Sequence, residues 1–277
     1  MIKKFLHEAT ERRIDQIAKR GDLHELKFLA FDSETTGLHY YQGKYRSLRL
    51  KLPESIRKEL DAFYSQQFKT DKASAHQLTA HFHSPDAKLQ LAELAAVVFD
   101  ISGNVIDEFH QYVTFDESMA SDKVMRLIHW NDSKKSVARN PYDVMKDFHR
   151  FMKKHEGAII LAHNAPYDVS IVTAIAKRFK ILDLVSYLKS KSTVIVDTRK
   201  TTKVRELLKD ILPTKTNAVG KVREDNVQGS IIKALGIENK EAHTAIEDVR
   251  SLMKMFIKLV RDYKEKWATE KLNDRGT

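Results

Sequence analysis

The chain has 277 residues, 42% of them hydrophobic and 31% charged, with 9 Gly, 5 Pro and no Cys. That length allows one large domain with an elaborate insertion, and the missing Cys excludes disulfides, thiolate chemistry and Cys-based zinc sites while leaving the compartment open. A formal net charge of +10 favours a polyanionic partner, nucleic acid first, because Lys and Arg that neutralise phosphates release condensed counterions; solubility is the plainer alternative.

The first residues, Met1-Ile2-Lys3-Lys4-Phe5-Leu6, lack a signal-peptide core, and no stretch reaches the ~20 apolar residues of a membrane span. A cytoplasmic protein with no membrane partner is therefore expected. Phe5, Leu6, Ile14 and Ile17 recur at near-helical spacing and predict an amphipathic helix from residue 3 to about residue 20, ended by Gly21, within a helical lead-in of residues 1–25. Next comes an apolar run, Phe28-Leu29-Ala30-Phe31, ending in Asp32-Ser33-Glu34 and the turn residues Thr35-Thr36-Gly37. A strand turns alternate side chains to one face, so Asp32 and Glu34 project side by side. Like charges that close either hold a cation between them or are solvated acids at a strand end.

Residues 39–88 combine cations with aromatics: Tyr40, Tyr41, Lys44, Tyr45, Arg46 and Arg49, then a predicted helix from Pro53 through Ile56, Leu60, Phe63 and Tyr64. Such a mixture can grip a single strand through phosphates and stacked bases. A helical subdomain with its own small core is the alternative. Residues 89–100 and 105–113 predict an antiparallel hairpin about Ser102-Gly103-Asn104. Glu93, near the start of its first strand, is within range of the acidic pair, but a solvent-facing strand end is its expected place. Residues 118–139 read as irregular and polar, and a helix is expected from Pro141 to about Lys154, with Val144, Met145, Phe148, Phe151 and Met152 as its apolar stripe.

Ala158-Ile159-Ile160-Leu161-Ala162 has the unbroken apolar character of a strand buried on both faces. A helix follows, with Asn164 as expected N-cap and Pro166 in the first turn. Asp168 lies in that turn, just beyond the carboxyl end of a buried strand, where open sheets place ligand sites. Its alternative is simple complementarity to the helix dipole. A further strand, Thr193-Val194-Ile195-Val196, leads to Asp197, read as a cap rather than a ligand. Residues 199–227 form a Lys- and Arg-rich run, either a phosphate-tracking surface or a solvated face. A short helix through Ile231, Ile232 and Leu235 stops at Gly236, and a last helix carries Ile246, Val249, Leu252, Met253, Phe256, Leu259 and Val260 inward. Periodicity fades near Lys264, so residues 263–277 are expected to form a frayed, flexible tail.

Thr244-Ala245-Ile246-Glu247 matches a capping box with Thr244 as N-cap. That would leave His243 in the loop before the helix while Asp248 faces inward from its first turn. The alternative for a lone His there is a surface or capping residue. Asp32, Glu34, Asp168 and Asp248 with His243 then make a hard donor set that selects Mg²⁺ or Mn²⁺ over zinc or copper.

Three segments now resemble the motifs of the DEDDh 3′–5′ exonucleases, the DnaQ-like family on the ribonuclease H-like fold. They are Phe31-Asp32-Ser33-Glu34-Thr35-Thr36-Gly37-Leu38, Leu161-Ala162-His163-Asn164-Ala165-Pro166-Tyr167-Asp168-Val169 and Ala242-His243-Thr244-Ala245-Ile246-Glu247-Asp248-Val249. The resemblance covers residues 26–38 and 90–262 and leaves 39–88 as an insertion. It implies an α/β three-layer fold over residues 26–262, with a mixed central sheet of about five strands in the order 3-2-1-4-5 flanked by helices. It implies a metal-dependent exonuclease that releases nucleoside 5′-monophosphates from the 3′ end of DNA. Two Mg²⁺ ions, or Mn²⁺ in their place, would serve as cofactors. By the same resemblance Asp32 would bridge both metals, Glu34 and Asp248 hold the one binding the attacking water, Asp168 support the second, and His243 act as general base. Single-stranded DNA 3′ ends are the implied partner, with a polymerase or other replication protein as a further candidate. An exoribonuclease that trims RNA ends, and a non-catalytic nucleic-acid-binding module on the same fold, are the alternatives.

Overall fold

The computed structural model describes residues 23–36, 90–117, 120, 122–190, 192–199, 214–216, 222–224, 228–239 and 243–273. The expected lead-in helix before residue 23 and the basic, aromatic insertion lie outside the described residues.

Five strands form one mixed sheet: β1 (Phe28–Thr35), β2 (Leu91–Phe99), β3 (Val105–Tyr112), β4 (Ile159–Ala162) and β5 (Ile195–Asp197). Their spatial order is β3-β2-β1-β4-β5, as the resemblance implies. β1 pairs antiparallel with β2 and parallel with β4, so it is the strand from which both halves of the sheet grow. The hairpin β2–β3 is antiparallel and β4–β5 parallel. A separate antiparallel pair, β6 (Thr214–Thr216) and β7 (Val222–Glu224), lies within the Lys- and Arg-rich run.

The period-two alternation of β1 sends Leu29 and Phe31 into one core and Phe28 and Ala30 into the other. The first core is closed by helices α3 (Pro141–Lys154), α4 (Ala165–Arg178) and α5 (Leu182–Lys189). The second is closed by α6 (Gln228–Ala234) and α7 (Ala245–Asn273). A sheet covered on both faces explains why β2 and β4 are buried along their whole length. In the second core Phe256 of α7 packs tilted against Phe28 at 5.0 Å between ring centroids and meets Phe99 edge-on at 6.5 Å. Arg250 adds a polar tie, reaching Glu247 at 2.8 Å on its own helix and Glu108 of β3 at 2.9 Å.

Several expectations are corrected. Residues 118–139 are not irregular throughout: α1 (Asp122–Leu127) and α2 (Asp132–Val137) lie there. Each has only six residues, too few for a period of 3.6 to register, and α2 is set by its cap, since the Asn131 side chain accepts from the Lys134 N–H. α5 was likewise unforeseen. Asn164 does occupy the N-cap position of α4, but with φ of 77° and no side-chain capping bond. Asn tolerates that left-handed conformation better than most residues. α7 runs on to Asn273, past the expected end near Lys264, because helical hydrogen bonding does not require the apolar stripe to continue. No helix among the described residues is long and apolar enough to cross a membrane.

Phe256 is 2% exposed, so Phe256→Ala should cost about 3–5 kcal/mol through lost burial and the cavity left behind. Urea denaturation of the two proteins checks this.

Candidate active site

The site forms where β1 runs out between the first turns of α4 and α7. Asp32 and Glu34 stand on the same face as Phe28 and Ala30 and are both partly buried. Ser33, turned the opposite way between them, donates its hydroxyl to Asp168 Oδ1 at 2.8 Å. Asp168 is 2% exposed in the first turn of α4. Asp197, at the end of β5, accepts the backbone N–H groups of Asn164 and Arg199 at 3.0 and 3.1 Å, which makes it a cap of the turn that presents Asp168. That is the role its sequence context suggested.

Asp248 enters from the first turn of α7, its N–H bonded to the Thr244 carbonyl at 3.0 Å. Asn239 donates to Asp248 Oδ1 at 2.9 Å, and Gln228 to the Asp248 carbonyl at 2.7 Å. His243 sits in the turn before the helix, exposed, with φ of 66°. This break in the helix lets His243 and Asp248 face one place despite their spacing. Glu34, His243 and Asp248 each offer a ligand atom, and those atoms lie within 4.8 Å of one another.

Glu93 is a correction. It is not a solvent-facing strand end but is 2% exposed, and it stands directly opposite Glu34 in the β1–β2 register. The sequence signal was present: Leu91, Ala92, Leu94 and Ala95 surround it, and an acid inside so apolar a run is buried with partners. Ser33, Gln228 and Asn239, which orient the acids, carried no sequence signal of their own.

Burial and mutual repulsion push these acids upward. Asp32 is raised well above the usual carboxylate range by burial, then by the charges of Asp168, Glu34, Asp248 and Glu93. Burial and the charges of Asp248 and Glu93 lift Glu34 to about 8. Burial lifts Asp168 to about 7 against the opposing Ser33 hydrogen bond. Asp248 is raised by burial, with Asn239 and His243 acting the other way. Closely set, desolvated carboxylates of this kind, with one imidazole and no sulfur beside them, are what hard divalent cations bind.

A sequence profile of the Exonuclease family matches residues 78–256, well over half of the chain. Asp168, His243 and Asp248 fall inside the match; β1, with Asp32 and Glu34, precedes it. No curated protein matches the chain. Among solved structures, E. coli Exonuclease I in complex with a dT13 oligonucleotide is 16% identical with a TM-score of 0.59, covering 88% of this chain and 43% of that one. The complex with dA16 is 16% identical with a TM-score of 0.56, covering 87% and 42%. The zinc-ion-bound form of the E. coli ExoI–ssDNA complex gives 16%, 0.54, 83% and 39%. The chain thus spans less than half the length of these proteins, and at such identity the likeness establishes the fold.

The raised acids have a stability consequence. Between the unfolded values near 4 and the folded values of about 7 and 8 for Asp168 and Glu34, the folded chain binds more protons than the unfolded one. Their contribution is therefore full below about pH 4 and is lost as pH rises toward 8. Urea midpoints in EDTA should show this loss, and millimolar Mn²⁺ should suppress it at the alkaline end.

Proposed function

We propose, because the chain belongs to the Exonuclease family, that it hydrolyses phosphodiester bonds at the 3′ end of DNA and releases nucleoside 5′-monophosphates. The observation that carries this reading is the mutual approach of Asp32, Glu34, Asp168 and Asp248 at the end of β1, with the exposed His243 imidazole beside Glu34 and Asp248. Single-stranded DNA is the favoured substrate, since the similar structures include Exonuclease I with dA16 and dT13 oligonucleotides. The +10 net charge suits the same partner.

Asp32, Glu34, Asp168 and Asp248 would hold two divalent ions. When bound, such ions neutralise the phosphate, acidify a water and stabilise the departing sugar oxygen. The rest falls to the chain's own residues. Ser33 and Asn239 donate to Asp168 Oδ1 and Asp248 Oδ1 and so orient the two carboxylates. Gln228 fixes the backbone beneath Asp248. His243, exposed beside Glu34 and Asp248, would take the proton of the attacking water, a task that suits imidazole near neutral pH. The basic, aromatic residues 39–88 are proposed to grip the strand that feeds this mouth.

Incubating 3′-labelled and 5′-labelled DNA and RNA oligonucleotides with Mg²⁺, Mn²⁺ or EDTA tests the reading. Mononucleotides released from DNA 3′ ends, and only with metal, are expected; preference for RNA would establish the exoribonuclease instead, and no cleavage of either would leave a binding module. His243→Ala should lower kcat by about 10²–10⁴-fold. Unchanged turnover would remove His243 from its role. Deleting residues 39–88 should weaken DNA binding and flatten its salt dependence more than it slows cleavage at saturation, as read from binding isotherms at several salt concentrations.

A further inference from the structure

We infer that Glu93 is a positioning residue of this site, holding the first turn of α7, and with it Asp248, against the ends of β1 and β2. The inference rests on the site assigned above but concerns a residue outside its ligand set. Glu93 is almost wholly withdrawn from water, and a buried carboxylate persists only where donors and countercharges surround it. Its Oε1 lies 2.9 Å from His110 Nε2 of β3 and accepts from the Ile246 backbone N–H at 3.4 Å. Its Oε2 lies 4.0 Å from the Nζ of Lys134. Lys134 is itself 8% exposed; it donates to the Ile128 carbonyl at 2.9 Å and lies 5.2 Å from the centre of the Tyr112 ring.

One carboxylate thereby joins β2, β3, α2 and α7. Ile246 is the second residue of α7, whose N–H has no partner within the helix, and Asp248 follows two residues later. A carboxylate at a helix N-terminus is also favoured by the helix dipole. Glu93 and Glu34 are cross-strand partners, so the same side chain that meets the helix is seated on the strand pair bearing the acids. With Oε1 engaged by His110 and the Ile246 N–H, Glu93 is tied to β3 and to the helix that carries Asp248. Its length is the critical property, since a side chain one methylene shorter would not span from β2 to the helix.

Two variants separate reach from charge. Glu93→Asp keeps the charge and shortens the reach; the double variant Glu93→Gln, Lys134→Met keeps the reach and removes the ion pair as a unit. Manganese binding to each full-length protein is measured by isothermal titration calorimetry, with circular dichroism to confirm folding. Glu93→Asp should bind Mn²⁺ about tenfold more weakly, and the double variant within about twofold of wild type, because positional support is what tunes the ligands. The reverse order, equal weakening in both, or no weakening in either would overturn the inference. A purely structural role would lower the Tm of these variants without moving manganese affinity. If the wild-type chain bound no Mn²⁺, the site assignment itself would fail and this inference with it; normal wild-type binding confines any failure to Glu93.

Discussion

The structure turns on a repulsion. Asp32, Glu34, Asp168 and Asp248 come from three remote stretches of chain and meet where water is scarce, and each raises the free energy of the others' charged forms. Nothing in hydrophobic packing asks for such an arrangement. Two fully apolar cores, one on each face of the sheet, make it tolerable by fixing β1 between β2 and β4, so that its last residues cannot swing apart. Stability generated along the strand is used at its end.

The remaining elements moderate that repulsion. Asp168 and Asp248 both stand in first turns of helices, where the positive end of the helix dipole favours an anion. Ser33 and Asn239 each donate to one of them. The strand acids have no helix end of their own; Glu34 instead feels Lys134, a buried ammonium fixed by the Ile128 carbonyl. Helix ends and one buried cation thus temper the cluster without filling it.

Long elements were legible in the sequence because their periodicity is strong. α3 was expected from Pro141 to about Lys154 and occupies Pro141–Lys154; the strand order followed from the resemblance, and the turn at His243 from the capping pattern after it. What escaped were features decided by single tertiary contacts. α1 and α2 are too short for their pattern to show, and α2 is fixed by the Asn131 cap. The apolar run around Glu93 signals its burial, but its partners on β3, α2 and α7 are set only in the folded chain. Asn239 and Gln228 reach Asp248 from 9 and 20 residues away, which no local pattern specifies. The family profile begins only after β1, so Asp32 and Glu34 join the site through strand pairing across a long intervening segment.

His243 occupies a left-handed backbone conformation, φ of 66°, that glycine adopts freely and a residue with a Cβ adopts only at a cost. The fold would be more relaxed with glycine there and would lose its imidazole. Residue 243 thus marks a point where an easy backbone and a side chain that stands beside Glu34 and Asp248 pull in opposite directions.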